Sequence, residues 1–224
     1  MKKRFFFLAV LTALVLCLLA GCAKEPTAPK TPVPELGSDA CISPLTWGMT
    51  REEAEAALAG YPITDSGKGF TFAAELFGQT VTAAAKFEVL SSDRLVVPVP
   101  EQTEAVLVGF DILPTDEKAF REGLISVLGE PLTHQVVYYD EAGVTGVKDG
   151  AELAEDERYW RSDVKLGDLF SVNELGKVDF ARATDRVRYE DTRAWVVTTA
   201  PVDGKTAFVF NGQVLAIRAV LDKG

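Results

Sequence analysis

Thiols and imidazoles are scarce in this chain of 224 residues, which contains three cysteines and one histidine. A zinc site needs several such ligands, and a hydrolase with a Ser-His or Cys-His pair would have to use His134, which no nucleophile motif accompanies. A Gly-x-x-x-x-Gly-Lys phosphate loop is also missing from the sequence. We therefore expect no metal, no cofactor and no catalytic residue, and we interpret His134 as a turn or strand-edge residue.

Positive charge is also in short supply. The chain has 23 basic and 33 acidic side chains, which gives a net charge of −10. This balance disfavours binding to nucleic acid, or to anionic lipid headgroups through a basic patch. We therefore expect no nucleic-acid partner, and any attachment to a membrane needs another kind of anchor.

The sequence does contain one long apolar run, at its beginning. A basic head over residues 2–4 precedes an apolar segment over residues 5–18. This order is typical of a secretory signal, and the apolar segment is shorter than the ~20 residues that a membrane-spanning helix needs. The alternatives are an ordinary signal peptide that contains a cysteine, or a plain membrane anchor.

The tetrad Leu19-Ala20-Gly21-Cys22 comes next and resembles the lipobox of bacterial lipoproteins. The resemblance implies a signal peptide over residues 1–21, recognised by its peptidase through Leu19, Ala20 and Gly21. It also implies a diacylglyceryl group on the Cys22 thiol. We therefore expect a protein anchored by lipid to the cell membrane or the outer membrane, facing the extracytoplasmic side.

Residues 22–44 are predicted to be a tether, since four prolines favour an extended chain over residues 23–39. Cys17 would leave with the signal and Cys22 would carry lipid, so Cys41 has no partner for an intramolecular disulfide. We interpret Cys41 as an inert cysteine of the tether.

Residues 45–224 are predicted to form one α+β domain, with short helices packed on one face of an antiparallel sheet. Two helices are expected, at 50–59 with a Thr50–Glu53 capping box and at 115–128 with Thr115 as the cap. Trp47, just before the first helix, is interpreted as a core residue rather than part of a ligand site. An alternative organisation has two tandem helix-plus-sheet units, 45–113 and 114–224.

Hairpins are expected at two places in this domain. Period-two apolar patterns predict strands over 70–77 and 80–89, followed by a strand over 105–113. Near the end, a strand over 194–199 precedes two runs, 205–210 and 213–221. Because Asn211-Gly212 lies between those runs, we expect a second hairpin there.

Part of this domain resembles known envelope proteins. The motifs are Trp47-Gly48-Met49-Thr50, the aromatic turn at Phe77-Gly78 and Leu128-Gly129-Glu130-Pro131. Together with the element order over residues 45–131, they resemble the outer-membrane assembly lipoprotein family and the β-lactamase inhibitor proteins. The resemblance implies proteins that bind other proteins through their sheets and loops and catalyse nothing.

The leading hypothesis is a non-catalytic protein-binding or envelope-assembly module with an envelope protein as partner. One alternative is an envelope enzyme that uses carboxylates on glycans, and another is a small solute-binding lipoprotein. The acidic cluster of Asp149, Glu152, Glu155, Asp156 and Glu157 lacks the ligand spacing of a calcium loop, so we interpret it as a solvated loop.

Overall fold

The fold was analysed in a computed structural model of the whole chain. The structure describes residues 34–90, 104–134, 137–139, 146–148, 152–171, 174 and 192–223. The chain divides into two units, Met1–Thr31 and Pro32–Gly224. All of the described residues belong to the second unit.

The described residues form one seven-stranded sheet and one two-stranded sheet, in which every pairing is antiparallel. The larger sheet has the strand order β1-β2-β3-β4-β9-β8-β7, and the smaller sheet pairs β5 with β6. The strands are β1 Ile63–Asp65, β2 Gly69–Leu76, β3 Gln79–Glu88, β4 Val106–Leu113, β5 Val137–Tyr139, β6 Gly146–Lys148, β7 Trp160–Arg161, β8 Val196–Val202 and β9 Lys205–Asn211.

Four α-helices are described: α1 Arg51–Ala57, α2 Glu117–Leu128, α3 Leu166–Leu169 and α4 Gln213–Lys223, with a 3-10 turn at Glu155–Glu157. The predicted capping box of α1 is confirmed, because the Thr50 side chain accepts from the Glu53 amide and the Glu53 carboxylate accepts from the Thr50 amide. The predicted α+β class is therefore correct.

The predicted cap of α2 is wrong by one residue. The carboxylate of Asp116 accepts from the Ala119 amide at 3.0 Å and caps the helix. Thr115 instead donates from its amide and its hydroxyl to Oε1 of Gln79, the first residue of β3. Gln79 Nε2 donates to the Asp116 carbonyl at 2.9 Å, so this side chain holds the start of α2 against the sheet.

One face of the larger sheet forms the core. Alternate side chains of β2 and β3, from Phe70 to Leu76 and from Val81 to Phe87, are buried. The helices pack over this face: the ring of Phe120 on α2 lies 4.8 Å from that of Phe208 on β9. The buried side chains of α1, α2, α3 and α4 belong to the same core cluster.

Trp47 is confirmed as a core residue. Its side chain is 4% exposed, and its ring centroid lies 5.3 Å from that of Phe110. The indole Nε1 donates to the Asp39 carbonyl at 3.0 Å, so Trp47 ties the segment before α1 to the sheet.

The predicted tether ends too late in the sequence. Leu36, Ala40, Cys41 and Ile42 all lie in the core cluster. Leu36 and Ile42 pair as an isolated β-bridge, and the Gly37 amide donates to the Cys41 carbonyl at 2.8 Å. Cys41 is therefore a buried residue of the folded unit rather than a tether residue, because the short apolar run around it belongs to the same core cluster as Trp47.

The predicted C-terminal hairpin is also wrong, because α4 occupies Gln213–Lys223. The side chain of Asn211 accepts from the Gln213 amide, which turns the chain from β9 into the helix. The hairpin that does form joins β8 to β9 through Asp203-Gly204, where both residues have positive φ. Asp-Gly satisfies that backbone requirement as well as Asn-Gly does.

The two tandem units of the alternative organisation share one sheet. β4 belongs to the first half of the division and β9 to the second, and they pair in register from Gly109↔Asn211 to Ile112↔Phe208. The sheet is therefore continuous across residues 113–114.

Candidate functional site

The second face of the larger sheet is exposed, and we call it the open face. Its side chains are cross-strand neighbours in the observed register, so they lie on one surface. They are Thr71, Ala73, Glu75, Thr80, Thr82, Ala84, Lys86, Asp111, Val196, Thr198, Val209 and Asn211. All of these residues are exposed or half-buried. No described helix covers them.

Small side chains predominate on the open face. Four of its residues are threonine and two are alanine, and Gly109 lies between Lys86 and Asn211 in the register. Short side chains leave the sheet backbone close to the surface. The exposed large hydrophobic residues among those described are Val89, Val164 and Val202. The described part of the open face is therefore of mixed polarity, without a patch of large exposed hydrophobic side chains.

An ion pair lies near the middle of the open face. Lys86 Nζ and Asp111 Oδ1 are 2.6 Å apart, and their side chains are 44% and 32% exposed. The residues occupy diagonal positions on neighbouring strands, since Ala84 pairs with Asp111 and Lys86 with Gly109. A half-exposed pair of this kind contributes little to stability.

Three clefts run along the open face and share lining residues. The first, of about 530 Å³, is lined by Leu153, Tyr159, Thr198 and neighbouring residues. The second, of about 480 Å³, shares Tyr159 and Thr198 with it and is called the arginine cleft here, after Arg161 and Arg193. The third, of about 1000 Å³, shares Gln213 with the arginine cleft and reaches Lys86 and Asp111.

A fourth cleft lies on the helix side, between α2 and the segment that leads into β7. Its volume is about 640 Å³. Its carboxyl groups are those of Glu117, Glu122, Glu130, Glu155 and Asp156, and its cationic groups those of Lys118, Arg121 and Arg158. We call it the acidic cleft. Among the described residues, Arg158 Nε is buried without a hydrogen-bond partner.

Three carboxyl groups outside these clefts have lowered pKa values. The hydrogen bond from the Lys223 side chain, together with the Thr50 amide, holds the pKa of Glu53 below its usual value. The Gly67 amide and then Arg51 lower the pKa of Asp65. Bonds from the Ser171 side chain and amide, and then from Arg218, lower the pKa of Glu174 to about 2. These groups serve as ionised structural contacts.

Burial raises the pKa of the Cys41 thiol far above its ordinary value, and the Asp39 carboxylate adds to the effect. The Sγ atom donates to the Leu45 carbonyl at 3.3 Å. A thiol held protonated inside the core is a poor nucleophile and a poor metal ligand. The buried position gives a physical reason to expect an unreactive thiol at Cys41. That reason is packing in the core and not a place in a tether.

The residues of the predicted lipidation site, Leu19, Ala20, Gly21 and Cys22, lie outside the described residues. His134 is exposed and forms an isolated bridge with Glu152, outside the strands of both sheets. In the acidic cluster, Asp149 lies outside the described residues. Glu152, Glu155, Asp156 and Glu157 are all exposed, and the last three form the 3-10 turn.

The residues of the open face were not identified from the sequence. Strict alternation in β3 does predict that Thr82, Ala84 and Lys86 share a surface. The register that brings Asp111 and Val209 beside them depends on long-range pairing, which no local pattern specifies. Arg161 and Arg193 likewise line one cleft only because β7 pairs with β8 and the chain before β8 approaches that edge.

Among the described residues, no three His, Cys, Asp or Glu side chains are grouped so that they could hold a metal ion. Within the same residues, no helix has the length and apolar character needed to cross a membrane. Comparisons with protein-family models, curated proteins and solved structures find no match. The open face and its clefts are therefore the features from which a function is inferred.

Proposed function

We propose that this protein is a lipid-anchored, extracytoplasmic module without catalytic activity that binds an envelope protein, and that the open face is its docking surface. The observation that supports the docking role most directly is a sheet face about five strands wide that no described helix covers. The resemblance of residues 45–131 to envelope lipoproteins and inhibitor proteins that bind through their sheets points the same way.

The composition of the open face suits a reversible protein contact. Transient interfaces are about as apolar as the rest of a protein surface, so an aromatic patch is not required. Threonine and alanine lose little side-chain entropy when they are covered. Lys86 and Asp111 would favour a partner whose charges complement the pair and would penalise others. The small side chains thus let a partner approach the sheet backbone closely, and the Lys86–Asp111 pair selects among partners by their charge.

The anchor in this proposal is the lipid on Cys22, and its support is the tetrad that resembles a lipobox. Mass spectrometry of the protein from the membrane fraction should find an acylated N-terminal Cys22. Cys22→Ala should leave an unprocessed or mislocalised precursor, whereas Cys41→Ala should be processed normally. An unmodified N-terminus beyond residue 22 would contradict the anchor and leave the docking role untouched.

Docking is tested with two matched charge insertions. Thr82→Arg places a long cation on the open face, and Glu122→Arg places the same side chain on the exposed surface of α2. Native electrophoresis of detergent-solubilised membranes should show the wild type and Glu122→Arg in one complex and Thr82→Arg as the free protein. Melting temperatures of the purified variants check that each is folded. A complex that survives Thr82→Arg, or is lost equally in both variants, contradicts docking on the open face.

The acidic cleft supports a second candidate, carboxylate-dependent cleavage of glycans. Five carboxyl groups line one cleft of a size that suits a small ligand. A glycosidase needs two carboxyl groups on either side of the scissile bond, about 5–10 Å apart. Purified protein should then cleave cell-envelope glycans and lose that activity in Glu117→Gln or Glu155→Gln. Retention of the same activity in both variants contradicts this candidate.

A further inference from the structure

The hairpin formed by β8 and β9 extends beyond the strands on either side of it. The two strands pair over their whole length, as far as Val202↔Lys205 beside the turn. The pairing of β9 with β4 stops at Phe208, and the pairing of β8 with β7 stops at Val197. Among the described residues, no other strand flanks the last three pairs of the hairpin. At about 3.3 Å per residue, the end of the hairpin therefore reaches about 10 Å past the last residue that pairs with β4.

The end of this hairpin, residues 201–205, is called the hairpin tip, and all five of its residues are exposed. The two turn residues, Asp203 and Gly204, have φ angles of 49° and 74°. Positive φ at both positions gives a turn whose twist matches that of the paired strands. The ring of Pro201 restricts the backbone further. A surface that is already held in one conformation loses little entropy when a partner covers it.

Val202 is the apolar anchor that the hairpin tip offers. Its side chain is 37% exposed, and it is one of the three large hydrophobic side chains that are exposed among the described residues. Side chains alternate along a strand, so Val202 lies on the same side of the sheet as Thr198, a residue of the open face. The tip thus carries its apolar side chain at one end of the open face.

Lys205 places a positive charge beside this valine, because the two residues are cross-strand neighbours. Its ammonium group forms no ion pair with any of the described residues. The chain as a whole has a net charge of −10. A cation at an extended point of an acidic protein favours a partner that offers a carboxylate there.

The edge of β8 near the tip is unsuited to the addition of a further strand. Val202 and Lys205 flank a two-residue turn, so their backbone groups bond to each other. The backbone of the preceding residue, Pro201, is then directed to the outer edge, where proline has no N–H to donate. At the next outward position, the Thr199 hydroxyl donates to the Asp156 carbonyl, so the 3-10 turn approaches this edge. Contact with a partner is therefore made by the side chains of the tip.

We propose that the hairpin tip inserts into an apolar pocket of the envelope protein that this module binds. Val202 fills the pocket, and Lys205 pairs with a carboxylate at its rim. A convex, preformed tip requires a concave partner surface, and an apolar centre with a polar rim is the usual arrangement of such contacts. The inference rests on the proposed binding role. A second copy of this chain fits less well, since a symmetric contact between two tips would bring two Lys205 side chains together.

The first test measures the complex by native electrophoresis of a dilution series of detergent-solubilised membranes. Val202→Ser should weaken the complex about tenfold, because the apolar contact of one valine is lost. Val164→Ser is the matched control and should leave the complex intact, since this valine is 42% exposed and lies between β7 and α3. Lys205→Gln should weaken the complex, whereas Lys205→Arg should preserve it. Melting temperatures of the purified variants check that each is folded.

The second test places a photoreactive residue at Val202, or at Thr82 of the open face, in cells that produce the protein. Both positions should give an adduct with the same partner. Mass spectrometry of the Val202 adduct should locate the attachment in a partner segment that contains apolar residues and a carboxylate.

The outcomes separate the hairpin contact from the docking face. An adduct from Thr82 without one from Val202 overturns the hairpin contact and leaves docking on the open face intact. An adduct from Val202 alone supports the hairpin contact and contradicts the docking face, and no adduct from either position overturns both. Equal complex formation by Val202→Ser and Val164→Ser also overturns the hairpin contact.

Discussion

At the scale of single residues, the close approach of α2 to the β2–β3 turn explains why residue 123 is a glycine. A Cβ atom added at Gly123 on α2 would overlap the ring of Phe77, which lies in the β2–β3 turn. Phe77 also packs edge-to-face against Phe120 of the same helix, at 5.3 Å between ring centroids. Since glycine is a poor helix former, its place here is explained by this contact rather than by helix propensity.

Gly123→Ala is therefore expected to lower the free energy of unfolding by about 1–3 kcal/mol, because the overlap outweighs the better helix propensity of alanine. Gly167→Ala is the matched control, since the space beside that glycine of α3 is open. It should be neutral or slightly stabilising. Urea unfolding followed by circular dichroism gives both values, and equal effects at the two positions would contradict the contact.

Cys41 supplies a second prediction at this scale. Burial and a raised pKa together should make its thiol react more than about tenfold more slowly in the folded protein than in urea. The measurement is the rate of modification by a colorimetric thiol reagent at pH 8. A variant with Cys17→Ala and Cys22→Ala leaves Cys41 as the sole thiol. Equal rates with and without urea would contradict the buried position.

At the scale of elements, the sequence indicates the buried face of α2 correctly, although not its cap. Apolar residues recur there at helical spacing, among them Phe120 and Leu124, and both of these are fully buried. A period near 3.6 is a local property, so such a stripe can be read without knowledge of the surface it packs against. Leu124→Ala should lower the free energy of unfolding by about 2–5 kcal/mol.

Glu122→Ala is the matched control for Leu124→Ala, since Glu122 is exposed on the same helix. Chemical denaturation should show a change of less than about 0.5 kcal/mol for the control. A change near zero for Leu124→Ala would mean that the apolar stripe does not face the sheet.

The element that the sequence predicted worst is α4. Asn211-Gly212 is a strong local hairpin signal, but a hairpin also requires that residues 213–221 form a strand. Residues Val214, Ile217 and Val220 are instead buried at helical spacing, and a Cβ atom at Gly212 would overlap the ring of Trp47. Gly212 is therefore explained by its close packing against Trp47 and not by a hairpin turn.

Contacts between α1 and α4 predict a dependence on pH. Lys223 Nζ lies 2.8 Å from Glu53 Oε2, and this bond helps to lower the pKa of Glu53. A carboxyl group whose pKa is lower in the folded state stabilises the fold at pH values above its unfolded value of 4.5. That contribution is lost as the pH falls through the folded-state pKa. Unfolding free energies should therefore decrease from about pH 4.5 downward.

Glu53→Gln tests this contribution, because glutamine preserves the capping box but not the charge. The variant should lose less stability on acidification than the wild type, by under about 1 kcal/mol, since the pair is half-exposed. Glu52→Gln is the control on the exposed surface of the same helix. Denaturation curves at pH 7 and pH 3 give the comparison, and an identical pH dependence in all three proteins would contradict it.

At the scale of the whole molecule, the sequence was sufficient for the class of fold and insufficient for its boundaries. The α+β class followed from local periodicities and turns. The start of the folded unit near Leu36 did not, because a short apolar run that follows several prolines is recognised as core only from its packing in the same cluster as Trp47. The open face was not predicted for a related reason, since it joins strands β2 to β4 with strands β8 and β9, and these two groups are distant in sequence.

Site-specific photocrosslinking in cells that produce the protein tests the docking proposal most directly. A photoreactive residue is placed at Thr82 or Thr198 on the open face, and at Glu122 on α2; all three positions are exposed. Illumination should give one discrete adduct from Thr82 and Thr198 and none from Glu122. An adduct from the α2 position alone, or no adduct from any position, would contradict the account.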